Sequence, residues 1–333
     1  MFVIFRLLLS LIIFAALLGG IFSAYKHFSG VDPLDLNPKS IANTVLNFIS
    51  QPQLVQDLQK QITEKVDSTV NSGDDKQEGL QKAQISQSSK FLFRFALFAD
   101  SHSDNTYLKK ALDQIKKNYV DSEAGGPVKF IIGLGDYSEV GTMDELKEAK
   151  KVLDSAGIRY FLTVGDHDLW DSREKSLPPT ANFNQIFGLI FQSFTEGNFK
   201  FILLYNSDNY IGLGDAQKKW LSDQLALSKD SAGVFIFLHE PLFHPSSGHF
   251  MGRVEQKLKT EAQNLTKQFA QTNVKKVFAG DTHFFSEYEE SSTNLPMVTV
   301  GAITSQRSLQ LPRFAIVSVF EDGNTGIEDV EVR

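Results

Sequence analysis

The sequence predicts a layered α/β domain, preceded by an apolar N-terminal segment and a polar linker. Three observations carry this. From about residue 90 onward, short apolar runs alternate with amphipathic stretches at helical spacing, the order that packs helices onto a sheet. The runs are almost continuously apolar, as in parallel strands buried on both faces. Five of them end in aspartate, histidine or both. Length and composition suit one large domain with appendages: 333 residues, 42% hydrophobic and 22% charged.

The elements follow in order. Residues 7–24 run eighteen positions without a charge, enough to span a bilayer. A signal-peptide cut after Ala24 would put Phe22 at −3, and one after Gly20 would put Leu18 there, where small residues are wanted. The expectation for 1–25 is therefore an uncleaved, single-pass transmembrane anchor, with a secreted chain as the alternative. Arg6 before the span, against Lys26, Asp32 and Asp35 after it, favours an extracytoplasmic domain. Residues 26–89 are polar. Leu54, Leu58, Ile62, Val66 and Val70 recur every fourth position, as in an amphipathic helix, and 68–89 has the composition of a flexible linker. The domain proper is expected at 90–333.

Within it, strands are expected at 91–99, 130–132, 160–164, 233–238 and 276–279. Helices are expected at 106–119, 142–155, 215–227 and 253–271, the first with Leu108, Leu112 and Ile115 on one face. Three closely spaced strands close the chain at 297–300, 314–320 and 326–332, with an Asp322-Gly323 turn.

Composition excludes some chemistry. The net charge of −7 speaks against a general nucleic-acid grip, which needs a basic face. With no cysteine there are no disulfides, thiolate zinc sites or cysteine nucleophiles.

The strand tails point to a metal. They read Asp100-Ser-His102, Gly135-Asp136, Gly165-Asp166-His167-Asp168, His239 and Gly280-Asp281-Thr282-His283. A single Gly-Asp after a strand is usually only a turn. Recurrence changes its weight, because the carboxyl ends of parallel strands lie side by side. Carboxylate oxygens and imidazole nitrogens gathered at one rim make a divalent-cation site.

In this order and context the tails resemble the calcineurin-like metallophosphoesterase family, over about residues 90–333. The resemblance implies a two-sheet βαβ sandwich flanked by helices, with the C-terminal strands in the second, partly antiparallel sheet. It assigns one divalent ion to Asp100, His102, Asp136 and His283, and a second to Asp136, Asp166, His239 and Asp281. It implies hydrolysis of phosphate mono- or diesters by a metal-bridging hydroxide, with His167 as the acid for the leaving oxygen and Asp168 orienting it. The sequence departs from the family twice: the usual G-N-H is Gly165-Asp166-His167, and the usual G-H-x-H is Gly280-Asp281-Thr282-His283. Each departure replaces a neutral ligand by a carboxylate, so manganese, iron or magnesium is expected over zinc. The departures also feed an alternative, a catalytically weak or inactive metal-binding module of the same fold that acts as a binding or scaffold protein.

His239 and His244 do not form a zinc-protease motif, since they are five apart and Pro241 lies between them. His244, His249 and Arg253 share a Pro/Ser/Gly-rich loop, where substrate contact and simple exposure both fit. Glu139 lies close to the site in sequence. Residues 169–198 form a long aromatic insertion after His167, readable as a lid, a substrate contact or a small core of its own.

Overall fold

The structure, a computed structural model, describes residues 89–121, 126–308 and 310–333. The predicted N-terminal span and amphipathic helix lie outside the described residues. Residues Ser89–Arg333 form one compact unit.

Two sheets face each other. One has the order β11-β10-β1-β2-β3, built from β1 (Phe91–Phe98), β2 (Val128–Gly133), β3 (Tyr160–Leu162), β10 (Arg313–Phe320) and β11 (Thr325–Glu331). The other has the order β4-β5-β6-β7-β9-β8, built from β4 (Gln192–Glu196), β5 (Phe199–Leu203), β6 (Gly233–Phe237), β7 (Val274–Ala279), β8 (Ser286–Glu289) and β9 (Pro296–Thr299). Helices α1 (Asn105–Ile115), α2 (Met143–Ser155), α3 (Trp170–Glu174) and α4 (Ala181–Phe187) follow strands of the first sheet; α5 (Asp215–Leu227) and α6 (Gln256–Ala270) follow strands of the second.

Alternation along each strand explains the layers. In β1, Phe93, Phe95 and Leu97 face the other sheet, while Ala96 and Phe98 face helices α1 and α2. The inter-sheet layer is largely phenylalanine: Phe95, Phe130, Phe201, Phe235, Phe237 and Phe278 are all fully buried there. Phe237 and Phe278 stack at 5.2 Å between ring centroids, and Phe95 and Phe130 at 5.6 Å. On the far face of the second sheet, Leu221 and Leu225 of α5 and Leu258, Leu265 and Phe269 of α6 cover Ile202, Ile236 and Val277. The result is helix, sheet, sheet, helix, the two-sheet sandwich expected above, except that the three C-terminal strands do not share the second sheet: β9 joins it, while β10 and β11 extend the first through pairing of β10 with β1. Helix α2 opens with a capping box: Glu145 N–H donates to Thr142 Oγ1 at 3.2 Å, and Thr142 N–H to Glu145 Oε2 at 3.0 Å.

Strands β1, β2 and β3 are parallel, as are β5, β6, β7 and β9. Their carboxyl ends therefore share one rim. There the two sheets are tied together, since Ala99 bridges to Ala302 and Ile303 N–H donates to the Ala99 carbonyl.

The insertion after His167 is mostly scaffold. It supplies α3, α4 and the edge strand β4, which pairs antiparallel with β5. Phe194 stacks on Phe161 at 3.7 Å, and Phe183 and Phe187 pack on Tyr137. Its aromatic rings thus brace the sheet edge and the loop that carries Asp136.

Candidate metal centre

The seven side chains assigned to metal converge at the rim. His102 Nε2 lies 3.2 Å from His283 Nε2 and 3.6 Å from Asp136 Oδ2, and His283 Nε2 lies 3.9 Å from Asp100 Oδ1. His239 Nε2 is 3.5 Å from both Asp136 Oδ1 and Asp166 Oδ1. Two groups emerge, Asp100/His102/His283 and Asp166/His239/Asp281, with Asp136 between them. Donor atoms bound to one ion at about 2.0–2.4 Å stand roughly 3–3.5 Å apart, close to this packing.

Local backbone aims them. Asp100, His102, Asp136, Asp281 and His283 all have positive φ, between 43° and 62°. That region costs a side-chain-bearing residue about 1–3 kcal/mol, least for aspartate. Interlocking hydrogen bonds hold the conformation: Asp100 N–H donates to the Gly135 carbonyl and His102 N–H to that of Asp136. Gly165 is needed for close approach, since a Cβ there would lie 2.0 Å from Asp136 Oδ1.

The histidine tautomers follow from their outer contacts. His239 Nδ1 donates to the Leu134 carbonyl at 2.7 Å, and His283 Nδ1 to the Arg307 carbonyl at 3.2 Å. Each is left with Nε2 facing the cluster. Burial, then the neighbouring His283 and His167 rings, pushes the His102 pKa down to about 2, so this ring is neutral. Burial raises Asp100 and Asp136 above the usual carboxylate range. Around His239, burial disfavours charge, but the carboxylates of Asp136, Asp166 and Asp100 outweigh it and hold the ring well above its ordinary value.

These residues fit a cation. Asp100 Oδ2, His102 Nδ1, His239 Nε2 and Asp281 Oδ2 are buried without a hydrogen-bond partner. An ion among them would satisfy these oxygens and nitrogens together.

Asp168 has other partners than the His167 ring. No hydrogen bond or ion pair joins it to the His167 ring. Its carboxylate instead accepts the backbone N–H groups of Asp136, Tyr137, Ser138 and Gly165 at 3.0–3.1 Å, and the Ser138 hydroxyl at 2.7 Å. It clamps the loop that presents Asp136. The carbonyl of Glu139 orients His167, lying 2.6 Å from Nδ1. Trp170 packs against the same ring, tilted by 31° with 3.9 Å between ring centroids. His167 Nε2 accepts from Arg307 Nη1 at 3.3 Å.

Of the loop residues, His244 is packed away from the cluster against Phe284 and Tyr288, while Arg253 faces Asp166 and Asp281. His249 Nδ1 accepts from Arg253 Nη1 at 2.8 Å. Glu139 pairs with Arg307 and stands 3.7 Å from His102 Nδ1. Sequence reasoning missed Arg307 and Asn206. Asn206, in the loop after β5, accepts the N–H groups of His239 and Glu240. Asn206 lies just beyond β5, so the strand-end rule would have found it had that strand been recognised; Arg307 lies in the longer loop after β9, where spacing gives no signal.

Comparison with known proteins agrees with this architecture. The profile of the calcineurin-like phosphoesterases matches residues 93–285. No curated protein matches in sequence. Among solved structures, a dimetal phosphatase from Danio rerio is similar with a TM-score of 0.51 at 15% identity, covering 73% of this chain and 100% of that one. A purple acid phosphatase from yellow lupin (Lupinus luteus) seeds gives 0.51 at 11% identity, covering 72% of this chain. The match spans 51%, about half, of the lupin enzyme. At these identities the likeness concerns the fold. The family match extends over more than half of the chain and ends among the rim residues, and it makes this protein a member of the calcineurin-like phosphoesterase family.

Proposed function

We propose that the chain hydrolyses phosphate mono- or diesters with the help of two divalent ions, one held by Asp100, His102 and His283, the other by Asp166, His239 and Asp281, with Asp136 shared. The observation that carries this is the set of buried, unpartnered oxygens and nitrogens converging from separate loops. When bound, such ions neutralise phosphate charge and acidify water. The chain's own groups do the rest. Arg307 stands beside His167 Nε2 and is placed to receive a phosphate oxygen. His167 keeps Nδ1 on the Glu139 carbonyl, so Nε2 is the nitrogen that faces the leaving oxygen; it acts as an acid only from the doubly protonated ring, with Arg307 turned from Nε2 to the phosphate. Trp170 on its face and His102 at 4.6 Å stop the ring from turning.

The reading includes membrane attachment through residues 7–24 and an extracytoplasmic domain, supported by the uncharged length and the flanking charges. It favours manganese, iron or magnesium over zinc, because four of the seven ligands are carboxylates. The carboxylates at 166 and 281 also support a second reading, a metal-binding module with little turnover.

The test uses the metal-stripped full-length chain, with nitrophenyl phosphate and bis-nitrophenyl phosphate as substrates and several divalent ions. Turnover should require an ion. His167→Ala should lower it about 10²–10⁴-fold. Asp136→Asn should lower it by more than the roughly 10–100-fold typical of a residue behind a ligand. Ion binding without turnover on either ester would favour the second reading; no ion binding would contradict both.

A further inference from the structure

Arg253 occupies a distinctive position. Its Nη2 lies 3.6 Å from Asp166 Oδ2 and its Nη1 3.9 Å from Asp281 Oδ2. These are the two positions where a carboxylate replaces a neutral ligand of the family pattern. One guanidinium thus faces both departures, which lie more than a hundred residues apart in the chain. The distances are those of ion pairs and exceed hydrogen-bond length, so the carboxylate lone pairs stay open.

The arginine is fixed in place from several sides. His249 Nδ1 accepts from Nη1 at 2.8 Å. Its side chain is only 27% exposed. The preceding Gly252 has φ of +92°, and a Cβ there would lie 2.1 Å from Lys259 N, so the turn admits glycine alone. Met251 before it is buried, with its N–H on the Pro241 carbonyl. The loop cannot swing Arg253 away without losing these contacts.

The charge count gives the position meaning. The Asp100/His102/His283 group has two carboxylates when Asp136 is included. The Asp166/His239/Asp281 group has three by the same reckoning. A guanidinium beside the second group offsets one of its negative charges, and the buried Glu240 carboxyl faces the same guanidinium and Asp281. Without it, the second group would attract a cation more strongly and repel an arriving phosphoester more strongly.

We propose that Arg253 is the built-in counter-charge of the Asp166/His239/Asp281 subsite, offsetting the two carboxylates that replace neutral ligands and so moderating that subsite's hold on its divalent ion. Arg253 is a positioning residue, acting through Asp166 and Asp281. The inference rests on the metal-binding part of the function proposed above and is independent of turnover.

The test is a manganese titration of the metal-stripped full-length chain, with free Mn²⁺ followed by electron paramagnetic resonance. Removing a unit charge a few ångströms from a divalent ion should tighten binding of the ion at the Asp166/His239/Asp281 subsite by at least about tenfold in Arg253→Met. Arg253→Lys, which keeps the charge, should stay close to wild type. In an Asp281→His background the effect of Arg253→Met should shrink, because one of its two partners is gone. Unchanged or weaker Mn²⁺ binding in Arg253→Met, or an equal effect in both backgrounds, would overturn the proposal. Should Arg253→Met fail to fold, Arg253→Gln, which keeps a polar side chain and removes the charge, reads the same balance. Mn²⁺ binding at that subsite should tighten; unchanged or weaker binding would overturn the proposal. Turnover lost with these shifts intact would fault only the hydrolase reading, while turnover present without them would fault only the role of Arg253.

Discussion

At the scale of single residues, Asp168 shows how far a side chain's work can lie from what its neighbours in sequence suggest. A His-Asp pair reads as a base with its orienter. The fold instead turns the carboxylate onto four backbone N–H groups and a hydroxyl of the Asp136 loop. Backbone donors leave no mark in a sequence, and so this role was not legible. Asp168→Asn would set an amide NH₂ against some of these donors and should cost about 2–3 kcal/mol. The thermal midpoint should drop by roughly 5–10 °C, with ion affinity reduced. An unchanged midpoint with altered turnover would restore the orienting role. Gly165→Ala is a harder blow, because the new methyl would meet both Asp136 Oδ1 and Asp136 N near 2 Å. Overpacking of this kind costs about 1–3 kcal/mol or more, and it should be read as a joint loss of stability and ion binding.

Among the elements, the strands show why some of the fold was legible and some was not. The runs ending in Asp100, Asp136, Asp166, His239 and Asp281 announce themselves because apolar residues and polar tail are adjacent in sequence. Strand β5 escaped notice since its sequence, FKFIL, follows a long insertion, and β4 was hidden inside that insertion. Phe194 and Phe201 are stacked partners across β4 and β5 at 4.8 Å, a relation that no periodicity within one strand reveals. Phe201→Ala, at the centre of the inter-sheet layer, should cost about 3–5 kcal/mol in denaturant unfolding. Strand β8 carries a pH effect. Burial raises the pKa of Tyr288, whose hydroxyl donates to the Phe243 carbonyl at 2.6 Å. The folded chain therefore keeps this proton more tightly than the unfolded chain does. Its stabilising contribution is complete below the ordinary tyrosine value of about 10 and declines as pH rises above it. Unfolding free energy should fall more steeply with pH above about 10 in wild type than in Tyr288→Phe, which should lose about 1 kcal/mol at neutral pH. Equal slopes would contradict the assignment.

For the whole molecule, the sandwich is what makes the rim possible. Asp100, Asp136 and Asp166 come from the first sheet, and His239, Asp281 and His283 from the second. Only the face-to-face stacking of the sheets, with phenylalanines between them, brings the two sets within 4 Å. The parallel order of the strands could be argued from their composition, and the meeting of their ends followed from it. Arg307 and Arg253 reach the rim from long loops, and their partners are set by the fold rather than by spacing. The most direct test counts ions. Equilibrium dialysis of the full-length chain against Mn²⁺ should find about two bound per chain. The count should drop in Asp136→Asn while its circular dichroism stays that of the folded wild type. A wild-type chain that binds no Mn²⁺, or an Asp136→Asn chain that binds as many ions as tightly, would contradict the account.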